Sequence, residues 1–511
     1  MKLKNHKVIT ILLSLIILLT LFFPHYYAAS VTPENMVFSG NASWFDPWDK
    51  NVYIAAINWA QNNGFIFQNA YTTKVHNPFP IYPFYTILGI LFPNPEPILL
   101  YQLSTLVLAI VFLLTIYYLL KQLVPTYVNT AFYLIALGGG LGWLFAQGFS
   151  LPDATTTPFT FPNTLQRPHE TLAMIFYLSS FYFFYEGVVK KKKTLIIRSA
   201  LFANFFIFFY PFHLLSYYII LGSYTLIISL KHNEKTPLKN LLLAIAITLP
   251  VGTIYSLYLL KSGGVFSGVF SPNVPAPNLV AVAGGYGVLA LFTIFALFQK
   301  KKDDLTLFLT LWFFLSILLS YLPLGFAKQY LRGLFFPAVL LSLLALKNLA
   351  KSTGLSKRLL LITIVVFVPI TSYFISFKRI LNVNANNRWY YLTLDEKRAL
   401  DFLDQSTSPG SGVLAAYPFA NYIPAHTGNR VYFGHFFQTP NSKEKIEKLT
   451  KFYANKLSGD VGKEFLIKNN ISYVVWGVDE KEITTGSGET ELKYEFLEVA
   501  YSNPKVTIFS F

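Results

Sequence analysis

The sequence predicts a polytopic α-helical membrane protein that ends in an exterior α/β domain, and three observations carry that reading. Of its 511 residues, 53% are hydrophobic and only 13% are charged, which lies outside the range of soluble proteins. Apolar runs of about 20 residues, long enough to cross a hydrocarbon layer of about 30 Å, recur through most of the chain. From 378 onward the composition changes: this tail holds most of the acids and mixes helical with strand periodicity. The 41 bases exceed the 25 acids by a formal +16, and the excess gathers beside apolar runs, as cations retained in the cytoplasm do. The basic balance therefore argues for membrane topology and gives no ground for a nucleic-acid partner. The absence of cysteine excludes disulfides, thiolate metal sites, cysteine nucleophiles and palmitoylation.

Taking each apolar run as a span and each basic cluster as cytoplasmic gives about eleven helices with the N-terminus inside. The first, 8–23, follows Lys2, Lys4 and Lys7 and leads outward. Its flank Tyr27-Ala28-Ala29-Ser30 is similar to a signal-peptidase site, but the run is long for a signal peptide and reads as an uncleaved anchor. The second span, 98–120, returns to Lys121, and the third, 127–149, goes out again. The fourth ends at lysines 190–193, and the fifth and sixth turn at Pro211 and come back to Lys231. The seventh leads to Lys261, the eighth returns to lysines 300–302, and the ninth goes out to Leu324. The tenth reaches Lys347, Lys351, Lys357 and Arg358, and the eleventh, 359–377, delivers the tail outside. Residues 1–377 thus read as a transmembrane module and 378–511 as an exterior soluble α/β domain. Within the module, 31–97 reads as a structured exterior loop whose Pro-rich stretch 78–92 is too short to span and lies in the interface or re-enters. In the tail, helices at 393–405, 443–456 and 462–469 accompany strands at 412–417, 430–436, 471–476 and 505–509. The Gly- and Pro-rich segment 262–278 reads equally as a mobile lid or a plain linker.

Ten acids precede the tail, and this topology leaves Glu34, Asp46, Asp49, Glu96, Asp153 and Glu170 outside. Asp46-Pro47-Trp48-Asp49 opens a helix running to about Asn62 and closed by Gly64. Asp46 suits its N-cap and Pro47 its first position, so Asp46 is explained by capping. Asp49 is not needed for that, and stands as a candidate functional carboxylate. Arg332, at the exterior end of the tenth span with Lys328 one helical turn earlier, places two cations where insertion does not favour positive charge. They suit a phosphate, with snorkelling to headgroups as the alternative. Arg167-Pro168-His169-Glu170 opens the fourth span; helix initiation accounts for Pro168 and Glu170 but leaves His169 without a role. Six of the eight histidines (His25, His76, His169, His213, His426 and His435) fall near exterior ends, which admits a divalent cation, although no HExxH-type spacing occurs. Gly138-Gly139-Gly140-Leu141-Gly142-Trp143 lacks a P-loop lysine and reads as close helix packing ahead of a phosphate cradle. Asn41-Ala42-Ser43 is an exterior glycosylation sequon in a host that uses one.

The order of parts, together with Asp49-Lys50-Asn51-Val52-Tyr53, Gly64, Tyr71-Thr72, Gly139-Gly140-Leu141-Gly142-Trp143, Pro168-His169, Arg332-Gly333 and Phe336-Pro337, resembles the GT-C superfamily of membrane glycosyltransferases. In the tail, Ile423-Pro424-Ala425-His426-Thr427-Gly428, Tyr432-Phe433-Gly434-His435 and Tyr473-Val474-Val475-Trp476-Gly477 are similar to prokaryotic members. The resemblance implies a GT-C-like fold and a catalytic acid in the first exterior loop, Asp49 first and Asp46 second. It also implies a sugar donor carried on polyprenyl phosphate, an acceptor that is a glycan, lipid or protein, and Arg332, Lys328, His169 and Arg167 at the lipid phosphate. No cofactor beyond that donor is required, and a divalent cation is admitted. The 31–97 loop departs from the superfamily in having no paired Asp-Asp or Asp-Glu motif. The rival reading is a non-catalytic envelope scaffold or a transporter; the scarcity of acids within the spans argues against an ion-coupled carrier.

Overall fold

The computed structural model describes residues 2–77, 79, 81–144, 151–261, 275–299, 302–323, 327–484 and 491–511. Among these, seven helices are long and apolar enough to cross a membrane: Val8–Ser30, Pro97–Leu123, Pro168–Val189, His213–His232, Thr236–Leu259, Ala327–Thr353 and Lys357–Leu381. The chain is a multi-pass membrane protein. The remaining four of the eleven expected spans are present as shorter or broken helices. Lys193–Ile207 and Asp304–Ser320 have 15 and 17 residues, or about 22 and 26 Å of helix. The run expected over 127–149 is helical only over Val128–Ala136 before the glycines interrupt it, and 145–149 lie outside the described residues. The eighth is split at Gly287 into Leu279–Tyr286 and Val288–Leu297, bent by 106°. Most of the segment 262–278 also lies outside the described residues.

The chain divides into two compact units, one holding the described residues of Met1–Pro24, Ser104–Leu260 and Ser271–Ile380, the other those of His25–Leu103, Lys261–Phe270 and Leu381–Phe511. The first is helical. Aromatic side chains fill its core: Phe181 stacks on Trp312 at 4.4 Å, and the Trp312 indole N–H donates to the Tyr177 hydroxyl.

The second unit is α/β. Strand β1 (Met36–Phe38) pairs antiparallel with β2 (Tyr391–Thr393), joining the 31–97 loop to the tail. A five-stranded sheet is built from β3 (Gly412–Leu414), β4 (Arg430–Val431), β5 (Tyr473–Trp476), β6 (Glu498–Ser502) and β7 (Thr507–Ser510) in the order β4-β3-β5-β7-β6. The β3–β4 and β3–β5 pairs are parallel and the β5–β7 and β6–β7 pairs antiparallel. Side chains alternate across it as a pleat requires. Val413, Val475 and Ile508 pack on one face with Leu400, Leu403 and Ile423, whereas Leu414, Val474 and Trp476 pack on the other with Leu449, Phe452 and Leu466. The strands expected over 412–417 and 430–436 are shorter: β3 ends at Leu414, and the Ala416 N–H beyond it donates to Glu480 in place of a ladder bond, while β4 is a two-residue edge. The helix expected at 393–405 is Leu394–Ser406, started by Thr393 and Glu396 in a reciprocal capping box. The first core face also takes up Val52, Ala55 and Tyr71, so the helix Pro47–Asn63 belongs to the same core as the tail sheet.

Candidate active site

That shared core determines where Asp49 points. Asp49 lies in the first turn of Pro47–Asn63, and its Oδ1 accepts from His435 Nε2 at 3.0 Å. The His435 side chain is 1% exposed and that of Asp49 24%, so a buried imidazole holds a carboxylate open to solvent. The backbone N–H groups of Phe437 and Gln438 donate to His435 Nδ1 at 3.1 and 3.2 Å. Nδ1 is thereby an acceptor, which leaves the ring proton on Nε2 to donate to Asp49. Gly434 permits this turn, because a Cβ there would come 2.7 Å from Val431 Cγ2 and 2.9 Å from the Ala420 carbonyl. Burial first, then the charge of Asp49, raises the Tyr82 and Tyr417 phenols, which stay protonated beside it. Asp46 contributes to the same effect on Tyr417, so both acids bear on one aromatic wall. The capping role read for Asp46 does not hold: its backbone is left-handed (φ 40°, ψ 57°) and its side chain makes no cap hydrogen bond, because capping geometry needs an extended backbone there.

The cationic candidates belong to the other unit. Arg332 is 2% exposed, and its Nη1 donates to Glu170 Oε2 at 2.6 Å while its Nη2 donates to Gln329 Oε1 at 2.9 Å. Its guanidinium also lies over the Tyr210 ring, 4.3 Å from the centroid. Arg167 Nη1 reaches the other Glu170 oxygen at 3.4 Å, so two guanidiniums share one carboxylate. His169 lies between Pro168 and Glu170 in the first turn of the helix Pro168–Val189. Lys328 and Arg332 do not share a regular helix face: Lys328 sits in the 3₁₀ turn Ala327–Leu331, and Gly333 (φ 78°) breaks the chain before the helix Phe335–Thr353. Arg332 Nε, the Tyr210 hydroxyl and His213 Nε2 are buried in this cluster without a hydrogen-bond partner among the described residues.

The glycine motif of the same unit combines close packing with a cradle for a carboxylate. A Cβ on Gly140 would lie 2.3 Å from the Gly285 carbonyl oxygen, so the bent pair Leu279–Tyr286 and Val288–Leu297 rests directly on this turn. The N–H groups of Gly140 and Gly142 donate to Asp153 Oδ2 at 2.8 and 3.0 Å, and Asp153 Oδ1 is buried without a partner. Burial pushes the Asp153 carboxyl up to about 6 against those amide bonds.

Sequence reasoning missed three residues. His435 was visible as one of six histidines and within the motif Tyr432–His435, Glu170 as an exterior acid at a helix start, and Asp153 as one of the exterior acids, but none was given a role. Among the described residues, no group of three or more His, Asp or Glu side chains could hold a metal ion.

No protein-family model and no curated protein matches the chain in sequence. Solved structures do match in fold. An oligosaccharyltransferase of Archaeoglobus fulgidus tethered with an acceptor peptide superposes with a TM-score of 0.54 at 13% identity, over 92% of this chain and 69% of that one. AglB of the same organism, in complex with an inhibitory peptide and a dolichol-phosphate, gives 0.52 at 13%, over 94% and 70%. ArnT from Cupriavidus metallidurans bound to undecaprenyl phosphate gives 0.51 at 11%, over 98% and 97%. Both enzymes are GT-C glycosyltransferases, and the fold of this chain is the membrane GT-C fold that they share.

Proposed function

We propose that this protein is an inverting glycosyltransferase that moves a sugar from a polyprenyl-phosphate carrier to an acceptor outside the cell, a glycan, lipid or protein. The observation that carries the reading is the Asp49–His435 pair, a partly exposed carboxylate fixed by a buried imidazole. Asp49 takes the proton of an acceptor hydroxyl as its oxygen attacks the anomeric carbon, a role worth about 10² to 10⁴ in rate. The bond from that carbon to the phosphate oxygen breaks, and the electron pair leaves with the lipid phosphate. Asp46 is the secondary acid. Arg332, with Lys328, Arg167 and His169, serves the phosphate. Arg332 already has Glu170 as its counter-ion, and its Nε, buried without a hydrogen-bond partner among the described residues, is the donor left for the phosphate. In this reading the N-terminus is cytoplasmic, the tail is exterior, and a lipid-borne donor accounts for the many spans without any nucleotide loop. The likeness to structures that contain dolichol-phosphate and undecaprenyl phosphate supports that donor class. The test is transfer from polyprenyl-phosphate sugars in proteoliposomes. Turnover by the wild type that is lost in a folded Asp49→Asn protein supports the reading, and no turnover with any donor in a panel supports a scaffold instead.

A further inference from the structure

The second unit has a cleft of about 370 Å³ to which no role has been given, between the last turns of the helix Pro47–Asn63 and the tail residues around Leu403–Pro409 and Pro424–Arg430. Half of its lining is polar, which does not suit an isoprenoid chain or another apolar ligand. Its one cation, Arg430, faces the same cleft as the acid Asp404 and donates to Gln68 at 2.7 Å, so this is not a phosphate site either. An extended peptide cannot add to the neighbouring sheet edge, because the N–H of Val431 on β4 already donates to the Ala70 carbonyl. What remains is a set of amide and carboxylate groups, Asn58, Asn62, Asn63 and Asp404, around the half-buried indole of Trp59. Asn58, Asn62 and Asn63 each donate one amide N–H to a protein carbonyl; their amide oxygens, the acceptor carboxylate of Asp404 and the aromatic face beside them match the alternating hydroxyls and C–H faces of a sugar.

We propose that this cleft is a binding site for a neutral oligosaccharide. Along the helix that carries Asp49 in its first turn, Asn58 and Asn62 lie about 14 and 20 Å further on and, at about 100° per residue, turn to the side away from Asp49. The cleft is therefore separate from the Asp49 carboxylate, and binding in it does not rest on the transferase reading.

The experiment separates the two. Saturation-transfer NMR on the full chain in nanodiscs, with chitotriose, mannotriose and maltotriose as probes and a neutral tripeptide as control, reads binding without turnover. At least one trisaccharide binds the wild type and binds Asp49→Asn equally, while Trp59→Ala weakens it on the order of tenfold. Asp404 and Asn62 are exposed, so Asp404→Ala and Asn62→Ala test the cleft without disturbing the core, and each weakens the same trisaccharide. Binding of none of the three, binding unchanged in all three cleft variants, or binding of the tripeptide in their place overturns the proposal. Absence of transfer by the wild type, with trisaccharide binding intact, counts against the transferase reading alone.

Discussion

Replacing Glu170 by Gln isolates the charge that holds the arginine cluster together. The amide keeps the size of the side chain and one acceptor oxygen, so packing is preserved while Arg332 and Arg167 lose their shared counter-ion. Glu170 and Arg332 have side chains only 5% and 2% exposed, so water cannot replace the missing charge. Removing one partner of a buried pair costs about 3–5 kcal/mol, and the surviving neutral hydrogen bond returns about 1 kcal/mol. The net loss is then about 2–4 kcal/mol, measured as the denaturant midpoint of the purified protein in detergent. Combining Glu170→Gln with Arg332→Gln removes charge in a pair, and the double variant lies closer to wild type than the sum of the singles by about 0.5–3 kcal/mol. If the cluster serves a lipid phosphate, undecaprenyl phosphate stabilises Glu170→Gln more than it does wild type, because the ligand supplies the missing anion. Additive single and double effects, or a Glu170→Gln protein within about 0.5 kcal/mol of wild type, would refute the pairing argument.

Three further predictions follow from the other contacts. In the proteoliposome assay, Asp49→Asn lowers kcat by about 10² to 10⁴; His435→Ala, a positioning change, lowers it less, leaves KM unchanged and has no further effect in the Asp49→Asn background. Gly140→Ala drives a methyl into the Gly285 carbonyl and costs about 1–3 kcal/mol or more, whereas Gly222→Ala, whose nearest neighbour is 3.8 Å away, is neutral or stabilising by up to about 1 kcal/mol; thermal unfolding of the two variants side by side gives the contrast. Burial, then the neighbouring Asp479, pushes the Glu480 carboxyl up to about 7. Between its ordinary value of 4.5 and about 7, the folded chain therefore keeps a proton that the unfolded chain has released, and stability falls as pH rises through that window. Glu480→Gln flattens the fall, which a series of unfolding curves from pH 4.5 to 8 records.

What the sequence made legible divides along physical lines. The long spans could be read because length and apolarity are local properties, and the helix Pro47–Asn63 because Pro47 and Gly64 mark its ends. The broken span at Gly287 was not legible, since a run of apolar residues looks the same whether or not it bends by 106°. Asp49 stood out as an exterior acid not needed for capping. Its partner His435 lies 386 positions away, and no spacing rule connects them. The same holds for Glu170 and Arg332, 162 positions apart: the cation was noticed because its placement called for an anion, and the anion was within the chain. The glycine motif was read correctly as close packing, but its amides bind Asp153, a carboxylate 13 positions on from Gly140 that periodicity could not assign to them.

The Asp49–His435 pair also ties the tail to the 31–97 loop. On sequence alone the tail reads as an exterior α/β domain with no link to the acid in the 31–97 loop. In the folded unit, β1 pairs with β2, Val52 and Ala55 enter the core of the tail sheet, and Asn51 donates to Asn421, which in turn donates to the Gly434 carbonyl beside His435. Within this unit the tail thus reaches the Asp49 carboxylate through His435, whose neighbour Gly434 is held by Asn421. An Asn421→Ala variant removes that hold without touching either Asp49 or His435, leaving buried amide and carbonyl groups unpaired at about 1–3 kcal/mol each. If orientation by the tail matters, transfer falls more than the fraction of folded protein does, and the loss is in kcat. If instead activity tracks the folded fraction alone, the tail acts on the acid only through stability.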